Sequence, residues 1–586
     1  MYSASTSRYR ARLPALVQQG SDVENLSDGD EDDDVARAGA QSQDDSEEDS
    51  DSDEQQTTDS DDEPIAQVLR NQKKWKTQAD LHPRISQFDT PQDQIDRSQW
   101  KPTEYLKQYV DDDLFEMLAL RTNINSTAVT GRSLNCTTAE MKRFFGISVL
   151  MSCIGYPRVR MFWQRLWRVP AIADTMARTR YFNIRAHLKI VVDADVTDEE
   201  KRNDLLWKIR PIVDRVQQGC RQQVRSGMLS IDEQMIPFAG ACPARRYVPN
   251  KPNPIGLKNF VLANAQGLVL DFVIDQGAGT YDPVPQMYKV GTGGAVVAHL
   301  CRDLTSGTHV YVDRYFTSIS LIEYLLTKNI YLTGTVMKGR IPRPIASLSD
   351  DKALAKRGRG SSEMIVRQDH KVALVKWFDN KPILLLSASH GIHPVDQCRR
   401  WEKKEKKYIQ IERPSVIREY NSKMGGVDLC DRMISFYRMK IRTKKWTVRA
   451  MMHFFDLSLV NSWILYREDC IANQVPRKDI HQCLEFRMEI AQAYLVATDS
   501  SSSSSSGSDS DDGPPPARRP RTTRPADDRR FSSGKHLPMV DDRKNSVRCK
   551  NPGCSYKTMY LCQTCKVHLC LLKERNCFSA FHQEDR

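Results

Sequence analysis

The sequence lacks any long hydrophobic run. Nothing in its 586 residues approaches the roughly 18 consecutive apolar positions of a membrane-spanning helix, and mean hydropathy is −0.56. The first residues, MYSASTSRYRARLP, lack the apolar stretch of a secretory leader. The expectation is neither an integral membrane protein nor a secreted one. Nine of the 15 cysteines, Cys136 to Cys483, lack any framework spacing, which argues against a disulfide scaffold and suits a reducing compartment. No internal repeat is visible. Residues 21–64 lack positive charge almost entirely: 20 Asp/Glu stand against Arg37 alone, a charge of −19. Removing that stretch from the whole-chain +11 leaves +30 on the remainder. So basic a body points to a polyanionic partner, most often nucleic acid.

The length admits about three to four domains. Residues 1–98 read as a disordered acidic region, because high charge and few apolar side chains cannot offset the entropy of ordering. From 99 to 228 apolar residues recur at helical spacing, as in TAEMKRFFGISVLMSCIG, where Thr138 and Glu140–Met141 suit a helix start. From 229 the period changes. MLSIDEQMIPF reads as a strand, and NFVLANAQGLVLDFVID as two strands about a turn at Asn264–Gly267. Helical GGAVVAHLCRDL, strand THVYVDRYF, helical SLIEYLLTKN and strand IYLTGTVM follow. The order β-β-β-α-β-α-β suits an α/β sheet carrying helices. Residues 338–412 mix basic loops with short strands and read as an inserted lobe within 229–437. Residues 438–498 return to helix. Residues 499–546 are rich in Ser, Pro and Arg and read as a disordered linker with a basic arm.

The remaining six cysteines crowd into 547–586. Cys549, Cys554, Cys562, Cys565, Cys570, Cys577 and His582 follow the spacing C-x4-C-x7-C-x2-C-x4-C-x6-C-x4-H. Zn²⁺ takes four thiolate or imidazole ligands in a tetrahedron, and short loops wrap two of them round one ion. Seven or eight ligands in 34 residues imply two zinc ions, interleaved as a cross-brace. The eighth ligand stays open between His568, a water and a later side chain. So short a segment has little core, so metal would supply its stability.

Four carboxylates stand out elsewhere. Asp232 and Asp313 end predicted strands, and Asp428 and Asp431 lie three apart on a predicted helix. Phosphoryl transfer with two Mg²⁺ (or Mn²⁺) wants such hard oxygen donors. Turn or capping groups are the competing reading of such residues. Glu233 should point away from Asp232 along an extended strand. Arg438, Lys440, Arg442, Lys444, Lys445 and Trp446 cluster where phosphate contacts and base stacking are one reading and a solvated face the other.

SIDEQMIPFAGACPARRYVPNKPNPIGLK, YVDRYFTSISL, TGTVMKGRIP, YNSKMGGVDLCDRM and LCQTCKVHLCLLKERNCFSAFH together resemble the piggyBac transposase family, as do MKRFFGISVLMS, RMFWQ and LLWKIRPIVDRV upstream. The resemblance covers about 100–495 and 547–586. It implies an RNase H-like catalytic domain at 229–437. It also implies a DNA-binding and dimerisation domain split between 99–228 and 438–498, and a zinc-binding C-terminal domain. The implied activity is metal-dependent cut-and-paste at TTAA sites on double-stranded DNA, by a homodimer; the linker arginines Arg518, Arg519, Arg521, Arg524, Arg529 and Arg530 read separately as a nuclear-localisation or nonspecific DNA-binding arm. Asp232, Asp313 and Asp428 match the family's catalytic aspartates, with Asp431 the additional acid. Two positions depart: Arg314 stands where the family has Asn, and Gly240-Ala241 where it has Gly-Arg, with Arg245 and Arg246 nearby to hold phosphates. A domesticated DNA- or chromatin-binding descendant without transposition is the alternative.

Overall fold

The computed structural model describes residues 75–498 and 536–582, apart from gaps at 78–79, 84, 91–94, 239, 250, 252, 404, 442 and 542–545. The acidic stretch, the basic arm and Arg442 fall outside the described residues. By chain contacts one unit comprises 1–72 with 442–444, and a second comprises 73–441 with 445–586. The architecture below is that of the second.

Ten strands form one mixed sheet. In chain order they are β1 (Trp75–Thr77), β2 (Met228–Pro237), β3 (Arg246–Tyr247), β4 (Ile255–Asn264), β5 (Val269–Ile274), β6 (His309–Val312), β7 (Tyr331–Thr335), β8 (Ser362–Arg367), β9 (Ala373–Phe378) and β10 (Pro382–Ser387). Across the sheet they run β1-β8-β9-β10-β7-β6-β2-β4-β3, with β5 also on β4. β6 lies parallel to both β2 and β7, and the other pairs are antiparallel. The expected β-β-β-α-β-α-β order is therefore present, with the two-residue β3 added.

The turn between β4 and β5 shows why the chain reverses there. Asn264 Oδ1 accepts from the backbone N–H groups of Gln266 and Leu268, and Gly267 takes φ +92°. A Cβ on Gly267 would also sit 3.2 Å from Cys430 N, so the turn needs glycine both for its backbone and for its neighbour.

Around the sheet lie helices whose ends the sequence marks. Helix Asp112–Thr130 is capped by Asp111, which accepts from Leu114 N at 2.9 Å, and stops at Gly131 with φ 77°. Helix Thr138–Ile154 is capped by Thr137 and stops at Gly155 with φ 75°. Helix Trp446–Ala472 is buried on nearly every side as far as Leu465, the mark of a helix lying between layers. Its Phe455 stacks on Phe145 at 4.5 Å, and its next-door Phe454 stacks on Phe272 of β5 at 5.3 Å. One hydrophobic core thus runs from the helices before the sheet, through this helix, into the sheet. Asp456 of the same helix is paired to Arg487 of helix Cys483–Leu495 at 2.6 Å, both fully buried.

Three boundaries differ from the sequence expectation. Residues 338–412 do not form a lobe apart: β8, β9 and β10 continue the main sheet through β7, and the separate piece is the hairpin β11 (Asp396–Glu402) with β12 (Lys407–Arg413). Residues 1–98 were expected to be disordered, yet Trp75–Thr77 pairs with Ile365–Arg367 as an edge strand. The linker 499–546 was expected to lack structure, yet β13 (Pro538–Val540) pairs with the strand Tyr560–Cys562 of the cysteine-rich module. Each difference involves pairing between segments far apart in sequence, which local composition does not register.

Candidate carboxylate site and metal centres

The parallel pairing of β2 and β6 places Ile231 opposite Val312. Asp232 and Asp313 follow these two residues, so both stand where the parallel pairing stops: Asp313 just past the end of β6, as expected, but Asp232 midway along β2, which was expected to end there and instead runs on to Pro237 against β4. The third piece is helix Gly426–Phe436, which starts hard against β2 and β4. A Cβ at Gly426 would meet Asn264 O at 2.1 Å and Ser230 Oγ at 2.9 Å, so a glycine is what lets the helix come this close. The helix carries Asp428 and Asp431 one turn apart. Alternation along β2 puts Ser230, Asp232 and Gln234 on the helix-facing side. Gln234 Nε2 donates to Asp431 Oδ1 at 2.6 Å. The four predicted carboxylates therefore share one neighbourhood, beside the point where β2 and β6 stop pairing.

Burial dominates the electrostatics there. It pushes Asp232 up to about 7, with the negative charges of Glu233 and Asp313 adding to it. It pushes Asp431 up to about 6 against the Gln234 hydrogen bond, and it raises Asp313 as well. Tyr420, on helix Ser415–Lys423, is lifted to about 12 by burial, with Asp313, Asp232 and Asp428 acting in the same direction. Lys251 pairs with Glu233 at 3.1 Å. Burial works against its charge, and the carboxylates of Glu233, Asp232 and Asp428 outweigh it. Glu233, expected to point clear of the site, is thus its neighbour through Lys251 and through its effect on both aspartates. Arg314 is exposed, and its charge acts on Asp313 less than burial, the turn hydrogen bonds and Glu233 do.

The predicted basic residues divide. Arg438 is half-buried and its charge reaches Asp431. Lys440 and Lys444 are exposed, and Lys445 Nζ donates to Ala186 O. Trp446 was expected to offer a face for base stacking; instead it is 8% exposed and packs against Phe238 in the core. It opens the long buried helix, and the helix phase turns it inward. Arg246 is held by Asp275 at 2.9 Å, while Arg245 is exposed and donates to Gly240 O.

The cysteine-rich segment brings its donors into two groups, Cys549, Cys554, Cys570 and Cys577, and His536, Cys562, Cys565 and His582. Within each group one ligand atom per residue lies within 4.8 Å of the others. Along the chain the groups alternate in pairs, 549/554, 562/565, 570/577 and 582 with 536, which is an interleaved arrangement. Sulfur and imidazole in fours fit tetrahedral zinc. In the second group the Cys562 thiol is held down at about 3, chiefly by its hydrogen bond with Cys565, with those to His582 and His536 adding to it. A thiolate is the form a metal takes. The eighth donor corrects the sequence expectation. It is His536, thirteen residues before the first cysteine, with Nδ1 3.5 Å from Cys562 Sγ and 3.4 Å from Cys565 Sγ. His568 is occupied elsewhere, 2.6 Å from Asp541 Oδ2. Among the described residues no set of three carboxylates is drawn together as tightly as these two groups.

Sequence reasoning missed Gln234, Lys251, Tyr420, His453 and His536. Gln234 was within reach, since it stands two residues after Asp232 on the same strand face. Lys251 and Tyr420 come from a loop and a helix that only the fold brings in. His536 lies in a stretch whose composition reads as linker.

A family model described as Transposase IS4 matches residues 101–463. The human PiggyBac transposable element-derived protein 3 is 31% identical over 432 residues, 72% of this chain and 70% of that protein. The human PiggyBac transposable element-derived protein 2 is 28% identical over 440 residues, 73% of this chain and 71% of that protein. A cryo-EM structure of a piggyBac transposase synaptic complex with hairpin DNA shares the fold, with TM-score 0.57 and 22% identity over 68% of this chain and 81% of that one. No helix among the described residues is long and apolar enough to cross a membrane. The family match takes in β2, β6 and helix Gly426–Phe436 together, and the chain belongs to the piggyBac transposase family.

Proposed function

We propose that this protein is a DNA transposase of the piggyBac type, excising and integrating DNA at TTAA sites by metal-dependent cut-and-paste chemistry on an RNase H-like core. The observation that carries this is the meeting of Asp232, Asp313, Asp428 and Asp431 where the parallel pairing of β2 and β6 stops. The strand order β5-β4-β2-β6-β7 supports the RNase H-like reading, because its first three strands are antiparallel and its last three parallel. The donor set fits a hard divalent cation: the oxygens are carboxylate, and burial raises Asp232, Asp313 and Asp431, so their charged forms call for positive charge beside them. Asp232, Asp313 and Asp428 would hold Mg²⁺ or Mn²⁺, and Asp431 would support them. Divalent cations held there supply Lewis acidity at the phosphate under attack.

The rest is the work of this chain's own side chains. Lys251 and Arg438 place positive charge at the rim of the acidic group, where a phosphodiester would arrive. Lys440, Lys444 and Lys445 offer phosphate contacts that position a duplex without reading its sequence. The helices at 99–228 and 438–498 serve DNA binding and dimerisation, the zinc module binds element-end DNA, and the site of action is the nucleus.

A second reading is a descendant that binds DNA without cutting it. The names of the 31% and 28% identical relatives, both transposable element-derived, favour it, as does Arg314 beside Asp313. A plasmid excision assay with matching terminal repeats decides between them. The expected result is excision by the intact chain and a loss of at least about a hundredfold in Asp313→Asn. Duplex binding by the intact protein with no excision would instead favour the descendant.

A further inference from the structure

Beside the acidic group lies a run of buried polar side chains that the carboxylates alone do not explain. Gln234 of β2 and Asn259 of β4 are cross-strand partners, and both are fully buried. Asn259 Nδ2 donates to Gln234 Oε1 at 3.2 Å. His453 of helix Trp446–Ala472 is 5% exposed, and its Nε2 lies 3.0 Å from the same oxygen. Gln234 Nε2, on the other side of the amide, donates to Asp431 Oδ1 at 2.6 Å.

The chemistry of these groups orients the chain. An ionised carboxylate only accepts, so the amide nitrogen must face Asp431 and the amide oxygen must face away. That oxygen then needs donors, and Asn259 and His453 supply them. Burial keeps His453 neutral, so it carries one ring proton. With that proton on Nε2, Nδ1 is left bare, and Nδ1 has no hydrogen-bond partner among the described residues. Two helices and two strands are thereby tied through one amide.

We propose that Gln234, its amide oriented by His453 and Asn259, is the positioning residue that fixes the direction of the Asp431 carboxylate toward the metal-binding aspartates. The inference rests on the reading of Asp232, Asp313 and Asp428 as a divalent-cation site. Groups that support metal ligands typically govern metal affinity by about 10- to 100-fold, and Gln234 acts on the supporting acid, Asp431. A merely structural glutamine would change the unfolding temperature and leave affinity alone.

The test uses the full, zinc-loaded chain and Mn²⁺ alone as the probe, with free Mn²⁺ read by electron paramagnetic resonance. The variants are Gln234→Leu, His453→Phe, His453→Gln and Asp232→Asn, and thermal unfolding is followed for each. The expected result is Mn²⁺ binding weakened about tenfold in Gln234→Leu and several-fold in His453→Phe. His453→Gln keeps a donor near the same place and should restore most of the affinity, even where its unfolding temperature matches that of His453→Phe. Wild-type affinity in a folded Gln234→Leu, with binding lost in Asp232→Asn, would overturn the positioning role and leave the metal site standing. Wild-type affinity in Asp232→Asn would sink the metal site itself, and this inference with it.

Discussion

At Asp232 burial and charge pull against each other, and pH reveals the balance. Its carboxyl is near 3.8 in the unfolded chain and about 7 in the folded one. The folded state therefore holds the proton more tightly, so the contribution of this group to stability is fully present below pH 4 and is lost as pH rises from about 4 to about 7. Asp431, raised to about 6, acts in the same direction over a narrower window. Without added divalent cation, Asp232→Asn should be more stable than wild type at pH 8, by on the order of 1–3 kcal/mol after allowing for screening at a partly open site. The gap should close by pH 4. Urea unfolding at the two pH values measures it, and equal stability at pH 8 would contradict the burial argument. These aspartates were legible through a family pattern rather than through physics, since strand-end acids are commonplace. Trp446 was misread for a related reason: a count of neighbouring cations does not say which way an aromatic faces, and here the first turn of a buried helix decided it.

Helix Gly426–Phe436 brings two of the acids, and two adjacent glycines at its start have different duties. A Cβ at Gly426 would meet Asn264 O at 2.1 Å, whereas a Cβ at Gly425 would meet nothing within 4 Å. Gly425 also has φ −75°, which any residue adopts. Gly426→Ala should push the helix off the sheet, costing roughly 2 kcal/mol or more and lowering Mn²⁺ affinity. Gly425→Ala should change neither by more than about 0.5 kcal/mol. Thermal unfolding with Mn²⁺ titration compares the pair, and equal behaviour would show that close approach is not what the glycine provides. Elements of this kind were the most readable part of the sequence. Short β-like runs marked β2, β4 and β5, the last two about a turn, and Thr137 and Gly155 bracket a helix that the apolar spacing announced. The joining of β8–β10 to β7 was not readable, because Leu385 pairs with Thr335, fifty positions earlier, across a stretch whose basic loops suggested a separate lobe.

Across the whole molecule, the Cys/His module proposed to hold zinc ties together more chain than its cysteines span. His536 and His582 belong to one group of donors, so that group encloses the other within its loop. His536→Ala should lower bound zinc from two ions toward one per chain and loosen β13 along with it. Elemental analysis and amide exchange over 536–541 read the two effects, and full zinc content in that variant would remove His536 from the ligand set. Stripping zinc should unfold this module while the main core, joined by Phe455 and Phe454, stays folded. The carboxylate site spans the chain differently. Gln234 and Asp431 meet across 197 residues, and Gln234 and His453 across 219. At about 5–20 residues added per second, a ribosome that has just made Asp232 needs on the order of 10–40 s more to reach the helix that completes the site. Until then the emerging chain carries Asp232, and later Asp313, without Asp428 and Asp431, so the acidic group is complete only once most of the core has been made.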